Sequence, residues 1–510
     1  MLKTLEALRG AFVHKDVHPL ADPRELQRVL AEIPSDKHFK ALSEIVGWLE
    51  SLQGEEMPGL QLFEATRQLD EAAQLVLRRV ARDYLHTPRL SRSDEKRLWS
   101  ISHDYYTLLS IAYERCLLAA SQKGRAAEQL KPHLPLICSR LIAALGNKMK
   151  WLLFRYGPSP SEIWQRLGAI LLLAEVHGVA GKSVQMYPAQ PAISTPQLEF
   201  TKVVAFHAAS MDSLLPLEIE IAERLVTHFL PGYVFSARPT EDSVYWLNLE
   251  QPQPPLRMAK LPKEVSPQLR FFKPGAAYGE IESLLHLVES GTDMPVGINL
   301  GASYTLRQLL PVLRHLAIYL APIPPQRSHA RHNVKHRMAV VHGLENILAL
   351  FSPEFDAETS TLEIESWVVE NVSQGGFGVQ VMHIPKEWLS VGSLIAMQPE
   401  GGENWLLGIV RRYSRETESE ARVGIQTLAR QATPVELKPV LAAVNLAPAA
   451  ISGLLLQPVA TPGEIQLLLP PATFDLRENL EMRLGNKPQI LQALALVDQM
   501  ADYEVARYLA

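Results

Sequence analysis

Two stretches of this chain gather side chains suited to holding an anionic, hydrogen-bonding ligand. The first, residues 326–344, carries Arg327, Arg331, Lys335 and Arg337 together with His329, His332, His336 and His342, and has no carboxylate. Arginine keeps its charge, its planar fork matches phosphate oxygens, and the same plane stacks on a base. That fork also pairs bidentately with the O6/N7 edge of guanine. Imidazoles flanking such a site would strengthen anion binding as pH falls toward their ordinary pKa of ~6.5. The second stretch runs Glu370-Asn371-Val372-Ser373-Gln374-Gly375-Gly376-Phe377-Gly378. In extended chain Asn371 and Ser373 project to one side and offer an amide and a hydroxyl together. The glycines let a ligand approach backbone N–H groups closely. A basic clamp opposite a polar strand edge is chemistry for reading a nucleotide.

These residues sit in a long, mildly acidic chain. Its 510 residues predict three or four domains. With 50 Lys and Arg against 55 Asp and Glu, the net charge of -5 argues against nucleic-acid binding over the whole surface. The arginine segment is therefore a local patch. No run approaches the ~18 apolar residues of a membrane span, and the N-terminus lacks an apolar signal core. The chain reads as cytoplasmic. Cys116 and Cys138 lie in apolar, helix-like sequence without metal-ligand spacing and read as buried thiols.

The fold class predicted is multidomain α+β. Residues 1–190 read as an α-helical bundle of no recognised family, with helix starts at Ser93 and at a capping box formed by Ser159 and Glu162. Trp164-x-x-Leu167-Gly168-x-x-Leu171 has a repeat-like look, but no second copy follows at a fixed period. Residues 191–320 read as a mixed α+β domain. Its strands are Tyr233–Arg238 and Val244–Leu249, and its helices Leu215–Phe229, Gly279–Glu289 and Thr305–Leu320. Prolines at 322, 324 and 325 end the last helix. Short alternating runs then predict a small antiparallel barrel over 325–440: Met338–Val341, Leu362–Val369, Gly378–Met382, Ser393–Met397, Trp405–Val410 and Arg422–Leu428. Residues 441–510 form a second β-rich region, with runs at Ile451–Leu456, Glu464–Leu469, Leu480–Leu484 and Gln489–Leu496.

With the residues in hand, a resemblance becomes specific. Arg327-x-x-x-Arg331 followed by Asn371-x-Ser373-x-x-Gly376 resembles the paired motifs of the PilZ domain, RxxxR in the entry loop and [D/N]xSxxG on the barrel. Downstream, Trp388–Leu394, Gly408–Arg412 and Val423–Leu428 are similar to the family's later elements. RxxxR alone carries little, because Arg78/Arg82 and Arg411/Arg415 also satisfy it, whereas the Asn-x-Ser-x-x-Gly string occurs once. The gap between the motifs is long, and residues 352–361 read as an acidic insertion. The resemblance implies a cyclic di-GMP-binding signalling effector of bacterial type, not an enzyme. Arg327 and Arg331 would clamp guanine faces and phosphates, with Asn371, Ser373 and Gly376 reading a base. Gln326 and Arg411 are lesser candidates. It further implies output through motility, pilus or biofilm systems, with the helical region offering a surface to a protein partner. The alternative is a nucleotide-independent PilZ-like scaffold.

Other constellations carry less. Gly178-Val-Ala-Gly181-Lys182-Ser183 lacks the first glycine of a phosphate loop and follows a helical pattern, so Gly178 reads as a helix C-terminal residue. His329, His332 and His336 have no acid or cysteine nearby to complete a metal set. Glu6-Ala7-Leu8 matches a phosphodiesterase signature in letters only, and Gly401–Asn404 reads as a hairpin turn. No catalytic residue, metal ligand or cofactor is assigned.

Overall fold

In the computed structural model the chain forms two compact units. One comprises Met1–Arg155, Ser159–Met211 and Pro216–Pro325, and the other Tyr156–Pro158, Asp212–Leu215 and Gln326–Ala510. The structure describes residues 18–34, 36–54, 57–87, 90–188, 193–258, 266–292, 294–295, 297–323, 329–353, 355, 361–384, 388–440, 450–457, 462–484 and 487–510. Gln326, Arg327 and the Glu6-Ala7-Leu8 tripeptide lie outside them.

The first unit is built on long helices, including Gly59–His86, Arg92–Ser121 and Leu134–Leu153. Gly59–His86 buries Leu62, Phe63, Thr66, Leu69, Ala73, Leu77 and Val80, a stripe at helical spacing. Leu134–Leu153 is buried on nearly every side, as a helix enclosed by partners must be. Cys116 and Cys138 are both buried, and burial pushes each thiol up to about 12. Two expected helix starts move. The cap of Arg92–Ser121 is Ser91, whose Oγ accepts from the Asp94 N–H at 3.1 Å, because a capping side chain reaches the N–H three residues on. The helix after Ser159 begins only at Glu162. Ile163 and Trp164 donate to the carbonyls of Pro160 and Ser161, so Ser159 lies too early to cap.

The centre of these helices is polar. Asp70 is fully buried and accepts from the hydroxyls of Tyr105 (2.9 Å) and Tyr113 (2.8 Å) and from Gln74 Nε2 (2.9 Å). Arg140, also buried, lies 3.4 Å from Asp70 and donates to the Met186 carbonyl and Glu71. Burial raises the Asp70 pKa against the opposing pull of Arg140 and the hydroxyls. The strands of this unit are a short pair, β1 (Val184–Gln185) with β2 (Ile193–Ser194), and an antiparallel sheet. That sheet joins β3 (Val234–Ser236), β4 (Tyr245–Asn248), β5 (Leu256–Arg257) and β6 (Leu269–Lys273) in the order β3-β6-β4-β5. Helices Pro216–His228, Ala276–Glu289 and Leu306–Tyr319 lie where their periodicity places them.

The second unit holds two closed barrels. The first contains β7 (His332–His342), β8 (Glu365–Ser373), β9 (Gly376–Val381), β10 (Leu394–Pro399), β11 (Leu406–Arg415) and β12 (Ala421–Ala429), in the ring order β7-β8-β9-β12-β11-β10. The other contains β13 (Gln431–Pro439), β14 (Ile451–Gln457), β15 (Glu464–Leu469), β16 (Leu480–Leu484), β17 (Lys487–Gln499) and β18 (Glu504–Leu509), in the order β13-β14-β15-β18-β17-β16. Both rings follow one path: first, second, third, sixth, fifth and fourth strand. Three elements differ from expectation, one of them β18, which lies beyond the last expected strand. Gln431–Pro439, grouped by sequence with the first barrel, pairs with β14 and β16 and opens the second. Helix Leu344–Phe351, not anticipated, follows β7.

The barrels share a seam. Leu394, Ala396, Leu407 and Ile409 of the first meet Leu454, Leu456, Leu468 and Val505 of the second, with Leu344, Ile347 and Leu350 of the helix in the same cluster. Alternate residues of these strands fill the barrel interiors: Ile395 and Met397 in one, Leu455 and Leu467 in the other. Strands buried on both faces read as unbroken apolar runs, which explains Leu394–Met397 and Leu454–Leu456.

Glu504 anchors the second barrel. It is buried and accepts from the N–H groups of Ala472 (3.0 Å), Thr473 (3.1 Å) and Phe474 (2.9 Å) and from Gln499 Nε2 (2.7 Å). Glu504→Ala removes the shared acceptor of these part-buried bonds and should cost about 1–3 kcal/mol; Glu504→Gln, which keeps one acceptor oxygen, should cost less. Chemical denaturation of the full chain, followed on the transition of the second unit, checks the ranking. In the first unit His207 packs edge-on to Trp164, and burial lowers its pKa to about 4. The unfolded chain then binds the proton more readily between about pH 6.5 and 4, so His207 makes that unit less stable as pH falls through this window. Urea midpoints at pH 7 and pH 5 should drop less in His207→Phe, which keeps a ring against Trp164 but cannot titrate.

Candidate functional site

The site begins with a register irregularity. Between β8 and β9, Val369 pairs with Val379 but Asn371 pairs with Gly378, so Glu370 is an extra residue on β8. Val369 and Val379 face the barrel interior. Without the bulge, strict alternation would send Asn371 and Ser373 inward as well. The extra residue turns both outward.

Facing them is a strip almost without side chains. Ser373 pairs with Gly376 and Asn371 with Gly378, and on the far side of β9 these glycines pair with Gln426 and Gly424 of β12. A Cβ on Gly376 would overlap the Ile425 carbonyl, and one on Gly378 would lie 2.6 Å from the Asn371 amide nitrogen. The strip is thus a shallow shelf, with Asn371 laid over Gly378. The Asn371 side chain has no hydrogen-bond partner among the described residues, and Ser373 Oγ donates to the Gly376 carbonyl at 3.3 Å. One amide and one hydroxyl oxygen therefore face the shelf ready to pair.

The basic segment arrives at the same end. His332 pairs with Val372 and Asn333 with Asn371, so Arg331 enters β7 beside Ser373. Arg331 is exposed and has no ion-pair partner among the described residues. The ring of His329 comes within 3.5 Å of the Cβ position of Gly375. The fold thus brings Arg331, Asn371, Ser373 and Gly376 to one end of the barrel; Gln326 and Arg327 lie outside the described residues. Arg411 stands on β11, where it is the extra residue of a second bulge, between the pairs Val410–Ile425 and Arg412–Gly424. Its Nε donates to Gln426 Oε1 at 2.8 Å and its Nη2 to Asp498 Oδ2 at 2.7 Å. No sequence motif singles out Asn333, Gln426 or Asp498, since only cross-strand pairing and the contact between the barrels bring them here. Gly378 had a signal, as it continues the every-second-residue pattern of Gly376.

Among the described residues no group of three or more His, Cys, Asp or Glu is placed to hold a metal ion, and no helix is long and apolar enough to cross a membrane.

A closed six-stranded barrel that exposes an Asn-x-Ser-x-x-Gly run at its second hairpin defines a PilZ-type domain. Residues 352–434 match the family model for the middle PilZ domain of the cyclic-di-GMP receptor FimW, and residues 24–239 match the model for the N-terminal domain of that receptor. Together the matches take in more than half of the chain, which belongs to this family of cyclic di-GMP receptors. The helical region, unassigned from sequence, thereby gains its family. β7 and the arginine segment lie ahead of the matched PilZ span. No curated protein matches the chain.

The two shelf glycines should respond differently to substitution. Gly376→Ala sets a methyl against backbone that cannot step aside and should destabilise the barrel by about 2–4 kcal/mol. Gly378→Ala meets only the end of the Asn371 side chain and should leave the unfolding transition nearly in place. Thermal unfolding of the two variants against the unmodified chain checks this.

Proposed function

We propose that this chain is a cytoplasmic effector that binds cyclic di-GMP at the shelf of its first barrel and acts by binding, not by turnover. The observation that carries the reading is the unpartnered Asn371 amide beside Ser373 over a glycine floor, with Arg331 entering from the adjacent strand. A guanine can lie flat on such a floor while its edge pairs with Asn371 and Ser373. Arginines at positions 327 and 331 suit the phosphates and the second base face. Family membership supports the choice of ligand.

The reading extends to mechanism. Gathering a dinucleotide against the barrel neutralises the basic segment that follows the prolines at 322, 324 and 325, and so biases the arrangement of the two units by the ligand's differential affinity. The helical unit then presents or withdraws a surface for a protein partner, with motility, pilus or biofilm output. Solution scattering with and without cyclic di-GMP reads this step, and identical profiles would count against it.

Calorimetric titration of cyclic di-GMP into the full chain tests the binding itself. Losing one charge-assisted contact costs ~1.5–3 kcal/mol, or about 10- to 150-fold in affinity. Arg327→Ala and Arg331→Ala should each weaken binding by that order, and Asn371→Ala, which removes a neutral contact, by about 1 kcal/mol, all while leaving the unfolding transition unchanged. Absence of binding by the unmodified chain would leave a PilZ scaffold that works without nucleotide.

A further inference from the structure

We infer that Asp498, a residue of the second barrel, is a positioning residue for the ligand site on the first. This rests on the cyclic di-GMP reading of the shelf and adds a part to it. Pairing carries the site outward from Gly376 in three steps. Gly376 pairs with Gln426 on β12. The Gln426 side-chain oxygen accepts from Arg411 Nε, and Arg411 Nη2 donates to Asp498. Asp498 itself stands just past a bulge, since Leu496 pairs with Ala506 and Asp498 with Val505. Bulges on β11 and β17 therefore aim the two partners at each other.

The pair holds the guanidinium in a useful attitude. The bonds at Nε and Nη2 fix the guanidinium plane, and among the described residues Nη1 has no hydrogen-bond partner and no aromatic ring lies over the plane. The Arg411 side chain is 42% exposed while Asp498 is only 18% exposed, so the open part of the pair is the cation. An arginine fixed before the ligand arrives loses less conformational freedom on binding than one ordered by it. Its free face suits stacking on a base, and its free nitrogen suits a phosphate oxygen. The second barrel thus completes the ligand site on the first.

A rival account makes the contact an ordinary surface ion pair that helps the barrels adhere. Such pairs contribute little, and the apolar seam, together with the Tyr503 hydroxyl donating to the Gly392 carbonyl at 2.9 Å, holds the barrels without it. Charge and positioning also predict opposite signs. Removing a carboxylate beside an anion site should tighten binding if only charge matters, and should weaken it if the carboxylate orients Arg411.

The experiment is titration of cyclic di-GMP into the full chain carrying Asp498→Ala, Asp498→Asn, Arg411→Ala, or Asp498→Ala with Arg411→Ala. Asp498→Ala and Arg411→Ala should each weaken binding about tenfold, the double variant should be no weaker than Arg411→Ala alone, and Asp498→Asn should recover much of the loss through its remaining acceptor. Unfolding midpoints should stay together. Unchanged or tighter binding in Asp498→Ala, or additive losses in the double variant, would overturn the inference. If Arg331→Ala and Asn371→Ala still weaken binding, the shelf reading survives that failure; if the unmodified chain binds nothing, both fall.

Discussion

The approach of β9 to β12 at Gly376 is the constraint on which the rest of the site depends. The backbone there lies so close to the Ile425 carbonyl that a Cβ cannot be accommodated, and a strand that close to its neighbour has one register. Fixing Gly376 opposite Gln426 also fixes Ser373 opposite Gly376 and Asn371 opposite Gly378. From that single contact follow a floor without side chains, the polar edge beside it, and the position of Gln426 on the far side. A glycine that reads in the sequence as room for a ligand is first a requirement for closing the barrel.

The bulges do complementary work. Strand alternation alone supplies a barrel whose inward residues are apolar and whose outward residues are polar, and that much was legible: the runs of alternating residues located most of the strands. What alternation cannot show is where it is interrupted. Asn371 and Ser373 share parity with Trp367 and Val369, which are core residues, so a strict reading of β8 buries the motif. One extra residue at Glu370 reverses the parity. The same device aims Arg411 on β11 and Asp498 on β17. Bulges leave no mark in composition, and this is why the motif residues were found while their neighbours Gln426 and Asp498 were not. Capping failed for a related reason: Ser91, Ser93, Ser159 and Ser161 are chemically alike, and only the path of the chain selects among them.

The boundary between the barrels shows another limit of local pattern. Ala429 ends β12 and Gln431 begins β13, so no linker, proline cluster or charge run separates the two. A reader of the sequence sees one continuous β region and places the break at the next loop. The topology is more informative. Two rings that follow the same strand path, joined without a spacer and packed through a shared apolar seam, act as a pair. The hairpin between β8 and β9 carries Asn371, Ser373 and Gly376, whereas in the second ring β14 ends Leu455-Leu456-Gln457. The fold is repeated and the polar motif is not.

That asymmetry divides the outer surface of the first barrel. On β10 and β11 the outward residues Leu394, Ala396, Leu407 and Ile409 are apolar and covered by the helix and the second barrel. On β8, β9 and β12 the outward positions hold Asn371, Ser373, the glycines and Gln426. The two halves meet on β11, where Ile409 belongs to the seam and Arg411, two residues later, reaches Gln426 on one side and Asp498 on the other. A charge at that border cannot be buried in the seam, and on a mobile side chain it would be poorly defined at the shelf. Holding it between an amide oxygen of its own barrel and a carboxylate of the next satisfies both demands. The seam that docks the barrels therefore also sets the edge of the shelf, and Arg411 is held between the two barrels because it stands where the apolar surface stops.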